Sequence, residues 1–450
     1  MNLLTIALKS IRQRAVSSSL TTLSVALGVM LMVTVIVING IVQDVFSQKS
    51  IGYDLIIGPK GSDLQLVLST VFRVQPPIEN LPYKYFLEVQ KDRRVEVAIP
   101  FAFGDNTQQG GFPIVGTIDE FFTNDYAPKR SFRIRGHRLT NPFDAIIGSR
   151  VARENGWDLG SEFKLVHGGN EEHVHDEKFK VCGVLDTTGT ANDRTVFIHL
   201  EGFYQISGHE KPLFDAVKRW KEFNGEQATE AEIKKEADEL AKKYGLEEEH
   251  DHGSHAGHHH HHHHGTPDEQ KEVTSILLKM KSTQQAILFS SDLKKGFKAQ
   301  AVNPIIPMTQ LMNTFVGNVR KVLLALTAMI IVVSGVGIFV SIYNSMSDRK
   351  REIAVMRALG ASRQTVFSII LLESILLCVG GGLLGLALGH GLVFAAAPYV
   401  EAEASLVMDP WKFETIELVL IPVLIGLASL VGFIPGMTAY RTDVARALAE

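Results

Sequence analysis

Leu20-Thr-Thr-Leu-Ser-Val-Ala-Leu-Gly-Val-Met-Leu-Met-Val-Thr-Val-Ile-Val-Ile-Asn-Gly-Ile-Val42 is a run without a single charged residue. Crossing ~30 Å of hydrocarbon takes about 20 apolar residues at ~1.5 Å each, so this run is long enough to span a bilayer as a helix. Three more predominantly apolar runs, 322–343, 366–397 and 416–440, follow a long polar block. The layout predicts a membrane protein with four transmembrane α-helices in a 1+3 arrangement. A large extracytoplasmic mixed α/β domain is inserted between helices 1 and 2. The expected bounds are an amphipathic N-terminal helix over 1–19 and spans over 20–44, 315–346, 366–397 and 416–440. The outer domain takes 45–314, a cytoplasmic strip 347–365, a short outer loop 398–415 and a cytoplasmic tail 441–450. The first run is too long for a secretory signal, whose apolar region is about 7–15 residues and ends at a small-residue cleavage site; an uncleaved anchor is expected.

Orientation follows from Lys and Arg, which near span ends are held on the cytoplasmic side. Lys9, Arg12 and Arg14 precede the first span, Arg349, Lys350, Arg351, Arg357 and Arg363 separate the second from the third, and Arg441 and Arg446 follow the fourth. All three clusters fall on one face. The loop between spans three and four carries Glu401, Glu403, Asp409, Lys412 and Glu414, a mostly acidic set suited to the other face. Both termini are therefore expected in the cytoplasm, and the polar block is expected to be extracytoplasmic.

A net charge of −4 and a mean hydropathy of +0.09 fit a chain part membrane, part soluble, and argue against a nucleic-acid partner. The two cysteines, Cys182 in the outer block and Cys378 in the third span, should be kept apart by the bilayer as free thiols.

Within the outer block, short alternating segments broken by Gly, Pro and Asn predict strands at 54–58, 95–99, 113–116, 145–148, 163–166, 179–185 and 195–198. Helix is expected at 151–154 and 311–315. From 215 to 249 the chain is rich in Lys, Glu and Ala with opposite charges at helical spacing, such as Glu230 with Lys234, which reads as one or two solvated helices. They open an insertion over 215–267 that ends in a histidine tract: His250, His252, His255, His258, His259, His260, His261, His262, His263 and His264. Imidazoles at this density can hold zinc or another divalent metal, and a tract of His and Gly can equally be filler without a core. The tract is internal and grades into its flank, unlike a purification tag. A second group, His167, His173, His175 and Asp176, sits at the tip of a predicted hairpin.

No Gly-x-x-x-x-Gly-Lys-Ser/Thr loop occurs, so ATP is expected to act through a partner polypeptide and no cofactor to bind directly. His-Glu-x-x-His, Gly-x-Ser-x-Gly and Cys-x-x-Cys are absent too, and no catalytic residue is assigned. Glu373 and His390 are the main ionisable groups in the spans, and ionisable groups in lipid are functional candidates by default.

Between spans two and three runs Ser347-Asp-Arg-Lys-Arg-Glu-Ile-Ala-Val-Met-Arg-Ala-Leu-Gly-Ala-Ser-Arg-Gln-Thr-Val366. As a helix it would set Ile353, Met356 and Leu359 to one side, leave Arg351, Glu352 and Arg363 to water or a partner, and break at Gly360. One reading is a basic helix on the membrane surface. The other is a coupling helix docking on a cytoplasmic motor protein.

This strip resembles the signature of the FtsX-like and MacB-like ABC permeases, a family that includes lipoprotein-releasing permeases. The matching residues are Arg349, Arg351, Glu352, Ile353, Arg357, Ala358, Leu359, Gly360, Ala361 and Ser362. Similar stretches lie at 7–14, 18–28, 148–152, 156–160, 179–185, 188–198 and 440–448, the last with Val444 where the family has Pro. The resemblance leaves out about 215–267. It implies a non-catalytic permease subunit that works with a cytoplasmic ABC ATPase and a second permease copy, as homodimer or heterodimer. A periplasmic adaptor or lipoprotein and membrane lipid are further expected partners. ATP-driven closing of the motor would be transmitted through the spans to the outer domains, for export or mechanotransmission. Arg351, Glu352, Ile353, Met356, Arg357, Leu359 and Gly360 would then form the ATPase-coupling surface.

Gly381, Gly385 and Gly389, at four-residue spacing in span three, permit close helix packing either within one subunit or at a dimer seam. Two other functions remain compatible with this sequence. One is a regulatory membrane scaffold that activates a cell-envelope enzyme, and the other is metal capture or sensing by the histidine tract.

Overall fold

The computed structural model describes residues 3–45, 51–167, 174–206, 208–246, 265–404, 413, 415 and 417–441. It divides into two compact units, Val45–Leu311 and a discontinuous unit made of Met1–Asp44 and Met312–Glu450.

The helices in chain order are α1 (Leu3–Gln13), α2 (Ala15–Val45), α3 (Asp63–Thr70), α4 (Tyr83–Gln90), α5 (Ser149–Asn155), α6 (Leu200–Tyr204) and α7 (Leu213–Asn224). They continue with α8 (Glu230–Tyr244), α9 (Thr283–Lys295), α10 (Ile305–Leu311), α11 (Gly317–Ala358), α12 (Arg363–Ala404) and α13 (Glu417–Tyr440). The strands are β1 (Leu55–Gly58), β2 (Leu81–Pro82), β3 (Val95–Thr107), β4 (Pro113–Thr117), β5 (Asp125–Ala127), β6 (Arg130–Ser131) and β7 (Ile134–Gly136). After them come β8 (Asp144–Ile147), β9 (Glu162–His167), β10 (Val174–Leu185), β11 (Val196–His199), β12 (Glu272–Val273), β13 (Ser275–Met280) and β14 (Gln300–Val302).

The outer unit, Val45–Leu311, is built on one mixed sheet in the order β14-β1-β13-β3-β4-β11-β8-β10-β7, with β9 paired to both β10 and β3. Only β4 with β11 and β8 with β10 run parallel among the described pairs. Side chains alternate across the sheet: Ile56 joins one core cluster while Leu55 and Ile57 join another on the opposite face. Phe197 and its neighbours Val196 and Ile198 divide in the same way. Both faces are covered, so β1, β8 and β11 are buried almost throughout, where the alternation expected from the sequence would have left one face to water.

On one face Phe121 gathers Phe101, Phe122, Phe132 and Phe197 with ring centroids 5.0–5.2 Å away. The buried guanidinium of Arg73 sits 5.2 Å from the Phe197 ring, and its Nη1 donates to Asn192 Oδ1 at 2.9 Å and Thr195 Oγ1 at 3.2 Å. This accounts physically for the stretch at 188–198: Asp193 accepts hydrogen bonds from Thr188 and Gly189 to fold the loop, which delivers Asn192 to Arg73.

All seven expected strands are present; five lie within about a residue of their expected limits, while the strand expected at 95–99 runs on to Thr107 and the one expected at 179–185 begins at Val174. The strand β13, which lies between β1 and β3, and the edge strand β14, which pairs with β1, were not expected, nor were α3, α4 and α9. The helix expected at 311–315 is the end of α10 followed by a π-turn over Met312–Val316. The outer unit closes at Leu311 rather than at 314.

The charged segment folds as two helices. Thr229 and Glu232 form a capping box at the start of α8, and Gly225 (φ 73°) and Gly245 (φ 67°) close α7 and α8 in the left-handed region open to glycine. Lys221 joins Glu236 across the pair at 2.8 Å, and Val217 packs on Ile233 and Ala237. α7 is not a free appendage, because Phe223 is buried edge-on to Tyr85, ring centroids 5.0 Å apart.

Among the described residues, four helical stretches are long and apolar enough to cross a membrane: Ala15–Ile41, Ile305–Gly337, Arg363–Val400 and Glu417–Thr438. The strip expected as a coupling helix over 347–365 is helical to Ala358 and is continuous with the second span. Residues 347–358 continue α11 without a break, because Lys, Arg, Glu, Ala and Met propagate a helix and no Gly or Pro intervenes before Gly360. α12 likewise runs past 397 to Ala404 through Pro398.

Candidate functional site

The resemblance-bearing strip ends in a defined turn. Gly360 has φ +102°, its N–H donates to Arg357 O, and Ala361 N–H donates to Met356 O, the paired bonds that close a helix around a left-handed glycine. Ser362 then caps α12 by accepting from Thr365 N at 3.1 Å. Gly360 and Ser362 thus stop one helix and start the next within four residues. Arg363 lies 5.8 Å over the Tyr440 ring, linking the first residue of α12 to the last of α13.

The expected apolar side of the strip does not form as one surface. Ile353 is buried, Met356 is half-buried and Leu359 is 83% exposed. Leu359 follows the last helical residue, so its side chain leaves the face that Ile353 occupies. Arg351 and Glu352 lie on α11 within about two turns of its end.

The three glycines of α12 face α2 of the same chain. A Cβ at Gly381 would meet Val25 Cβ at 2.8 Å, at Gly385 it would meet Ala26 O at 2.5 Å and Val29 Cβ at 2.7 Å, and at Gly389 it would meet Val33 Cβ at 2.9 Å. Glycine at every fourth position lets two helix backbones approach more closely than any side chain would allow. Gly382 faces elsewhere, onto Leu424 of α13, and Gly380 and Gly391 have open space.

Both ionisable groups singled out in the spans have partners. Ser10 Oγ on α1 donates to Glu373 Oε1 at 2.9 Å, and His390 Nε2 lies 2.9 Å from Glu417 Oε2 at the start of α13. Neither Ser10 nor Glu417 was anticipated. Glu417 was legible as an acid at the edge of the fourth apolar run.

In the outer unit, His137, Asp144 and Cys182 lie close enough to hold an ion, yet each has a local use. Burial pushes the Asp144 carboxyl up, but bonds from Asn141 N, Thr140 N and both side chains outweigh it and hold the group below the usual carboxylate range. Burial and then the Asp144 charge push the Cys182 thiol up to about 12. His137 Nδ1 contacts Arg138 O. The histidines of the tract, His250 to His264, lie outside the described residues, as does His173. His175 is buried, and the exposed Asp176 pairs with Lys164 at 3.3 Å.

The family model of the MacB-like periplasmic core domain matches residues 18–236, and that of the FtsX-like permease C-terminal domain matches residues 324–444. The chain belongs to the FtsX-like and MacB-like ABC transporter permeases. The first match runs into α8, beyond 215 where the insertion was expected to begin. The permease is 32% identical over 150 residues to the macrolide export ATP-binding/permease protein MacB of Chromobacterium violaceum, covering 32% of this chain and 22% of that protein. It is 33% identical over 147 residues to the protein of the same name from Shewanella oneidensis, covering 31% and 21%. These matches span about a fifth of the length of the curated relatives. Among solved structures, the periplasmic region of MacB from Actinobacillus actinomycetemcomitans is similar at 12% identity and a TM-score of 0.31, over 59% of this chain and 95% of that one.

Proposed function

We propose that this permease is the membrane subunit of an ABC export or mechanotransmission complex in a bacterial inner membrane, driven by an ATPase on a separate polypeptide. In this reading the four apolar stretches cross the bilayer, both termini are cytoplasmic and Val45–Leu311 is the periplasmic working end. The observation that carries it is the continuity of α11. At ~1.5 Å per residue its 42 residues extend ~63 Å, about twice the ~30 Å hydrocarbon thickness, so a helix that spans the bilayer also projects well beyond it.

The basic residues 349–357 ride on that projection, and the Gly360 turn presents the exposed Leu359 at its tip. A push delivered there by a motor would travel along one continuous helix into the bilayer. Exposed Val322, Val333 and Val336 on α11 leave an apolar surface that supports contact with lipid or with a second copy. The glycines of α12 are occupied by α2, so they add nothing in favour of a dimer seam.

The test is a detergent-solubilised, affinity-purified complex assayed for ATP hydrolysis. A co-purifying ATPase is expected, stimulated by the wild-type permease. Arg351→Glu with Glu352→Arg should abolish the stimulation while the permease remains folded. Stimulation unchanged in that double variant would remove the coupling role from this strip.

A further inference from the structure

We propose that Asp105, His175 and His209 form a reversible binding site for a borderline divalent transition metal, zinc being the best fit, at the root of the α7–α8 hairpin. The three residues come from separate parts of the outer unit: Asp105 from the end of β3, His175 from β10 and His209 from the connection between α6 and α7. The Asp105 side chain is fully buried, and those of His175 and His209 are only 2% and 5% exposed.

His209 Nε2 lies 3.0 Å from Asp105 Oδ2 and His175 Nε2 lies 3.8 Å from the same oxygen; one ligand atom from each residue falls within 4.8 Å of the others. Zinc bonds to imidazole nitrogen and carboxylate oxygen are ~2.0–2.2 Å, which puts tetrahedral ligand atoms ~3.4 Å apart. The separations of 3.0 and 3.8 Å from the Asp105 oxygen bracket that value, and the 4.8 Å limit on all three leaves the ligand atoms to close in around an ion. The His175 and His209 rings stand perpendicular at a centroid distance of 5.1 Å, and Phe203 walls the second ring at 4.5 Å.

The donor set selects the metal. Two imidazoles and one carboxylate suit zinc, cobalt, nickel or copper, whereas calcium and magnesium call for oxygen ligands throughout. With three protein ligands a fourth position is left for water or an incoming group, the feature that separates open zinc sites from closed structural ones. Asp105 and His209 line a cleft of about 660 Å³. Glu210, Asp215, Glu222 and Glu272 line it too, together with Lys211, Lys218 and Arg219, so the approach to the site is polar and of mixed charge. On the far side of the histidine tract, Thr266 N donates to Glu201 Oε1 at 2.9 Å on α6, the helix that leads to His209. A bound ion would tie β3 and β10 to the start of α7, whose Phe223 already enters the core.

The full chain in detergent, with the ten histidines between 250 and 264 replaced by serine so that they cannot compete, is stripped with chelator and titrated with cobalt(II). One equivalent per chain should give the visible absorption of tetrahedral cobalt, and zinc should displace it. His209→Gln, in a connection rather than a strand, should remove the signal, and His137→Gln should leave it unchanged. Asp105→Asn should remove it as well. If that variant fails to fold, melting of the tract-substituted chain with and without zinc decides: zinc should raise its melting temperature and leave that of His209→Gln unmoved. Hydrogen exchange should slow across the start of α7 on zinc addition. Absence of the cobalt signal from the tract-substituted chain, or its survival in His209→Gln, would overturn the proposal.

Discussion

His390 Nε2 lies 2.9 Å from Glu417 Oε2, a buried polar contact between α12 and α13. A hydrogen bond between membrane helices contributes on the order of 0.6 kcal/mol and rarely exceeds ~1.7 kcal/mol. Removing one partner costs more, about 1–3 kcal/mol, because the other is left buried without its hydrogen bond. Glu417→Gln, which keeps an acceptor, should therefore lower the melting temperature of the solubilised chain slightly, and Glu417→Ala markedly. Leucine at both 390 and 417 should recover most of the loss. Equal melting of Gln and Ala variants would show that the contact carries no weight.

Gly385 gives a second expectation, since a Cβ there would strike the backbone oxygen of Ala26, which cannot rotate away. Overpacking of this kind costs about 1–3 kcal/mol. Gly385→Ala should destabilise the chain. Gly380→Ala, in open space on the same helix, should be neutral or stabilising by up to ~1 kcal/mol from helix propensity. A cysteine pair at 25 and 381 should also cross-link within one chain and migrate as a monomer on a denaturing gel.

Cys182 supplies the pH dependence. Its thiol is pushed up to about 12 by burial, against 9.0 for an ordinary thiol. Between those values the folded chain holds a proton that the unfolded chain has lost, so folding is favoured less and less as pH rises. The contribution of Cys182 to stability is thus complete below pH 9 and disappears as pH climbs towards 12. In a Cys378→Ala background, maleimide should fail to label the native chain at pH 8 and should label it in denaturant. The Cys182→Ala chain should lose less stability than its parent between pH 9 and pH 11.

The four apolar runs and the seven strands were legible because each depends on local pattern, and apolar runs keep their meaning wherever they fold. β13 was missed although Ile276, Leu277 and Leu278 are apolar, since it follows the histidine insertion and forms only by pairing with β1 and β3, far away in sequence. The candidate metal residues divide in the same way. His175 stood out among neighbouring histidines, whereas Asp105 and His209 carried no local signal; they meet it only because strand pairing and the α6–α7 connection bring three distant segments together.

By itself the sequence determined the span count expected of the chain, its family and the turn at Gly360, because hydrophobic length, motif spacing and a glycine's access to positive φ are properties of contiguous residues. The tertiary structure decided what the motifs do to each other. It set Gly381, Gly385 and Gly389 of α12 against α2, gave Glu373 and His390 their partners and gathered Asp105, His175 and His209. Each of these rests on contacts between residues distant in the chain, which no pattern of contiguous residues specifies.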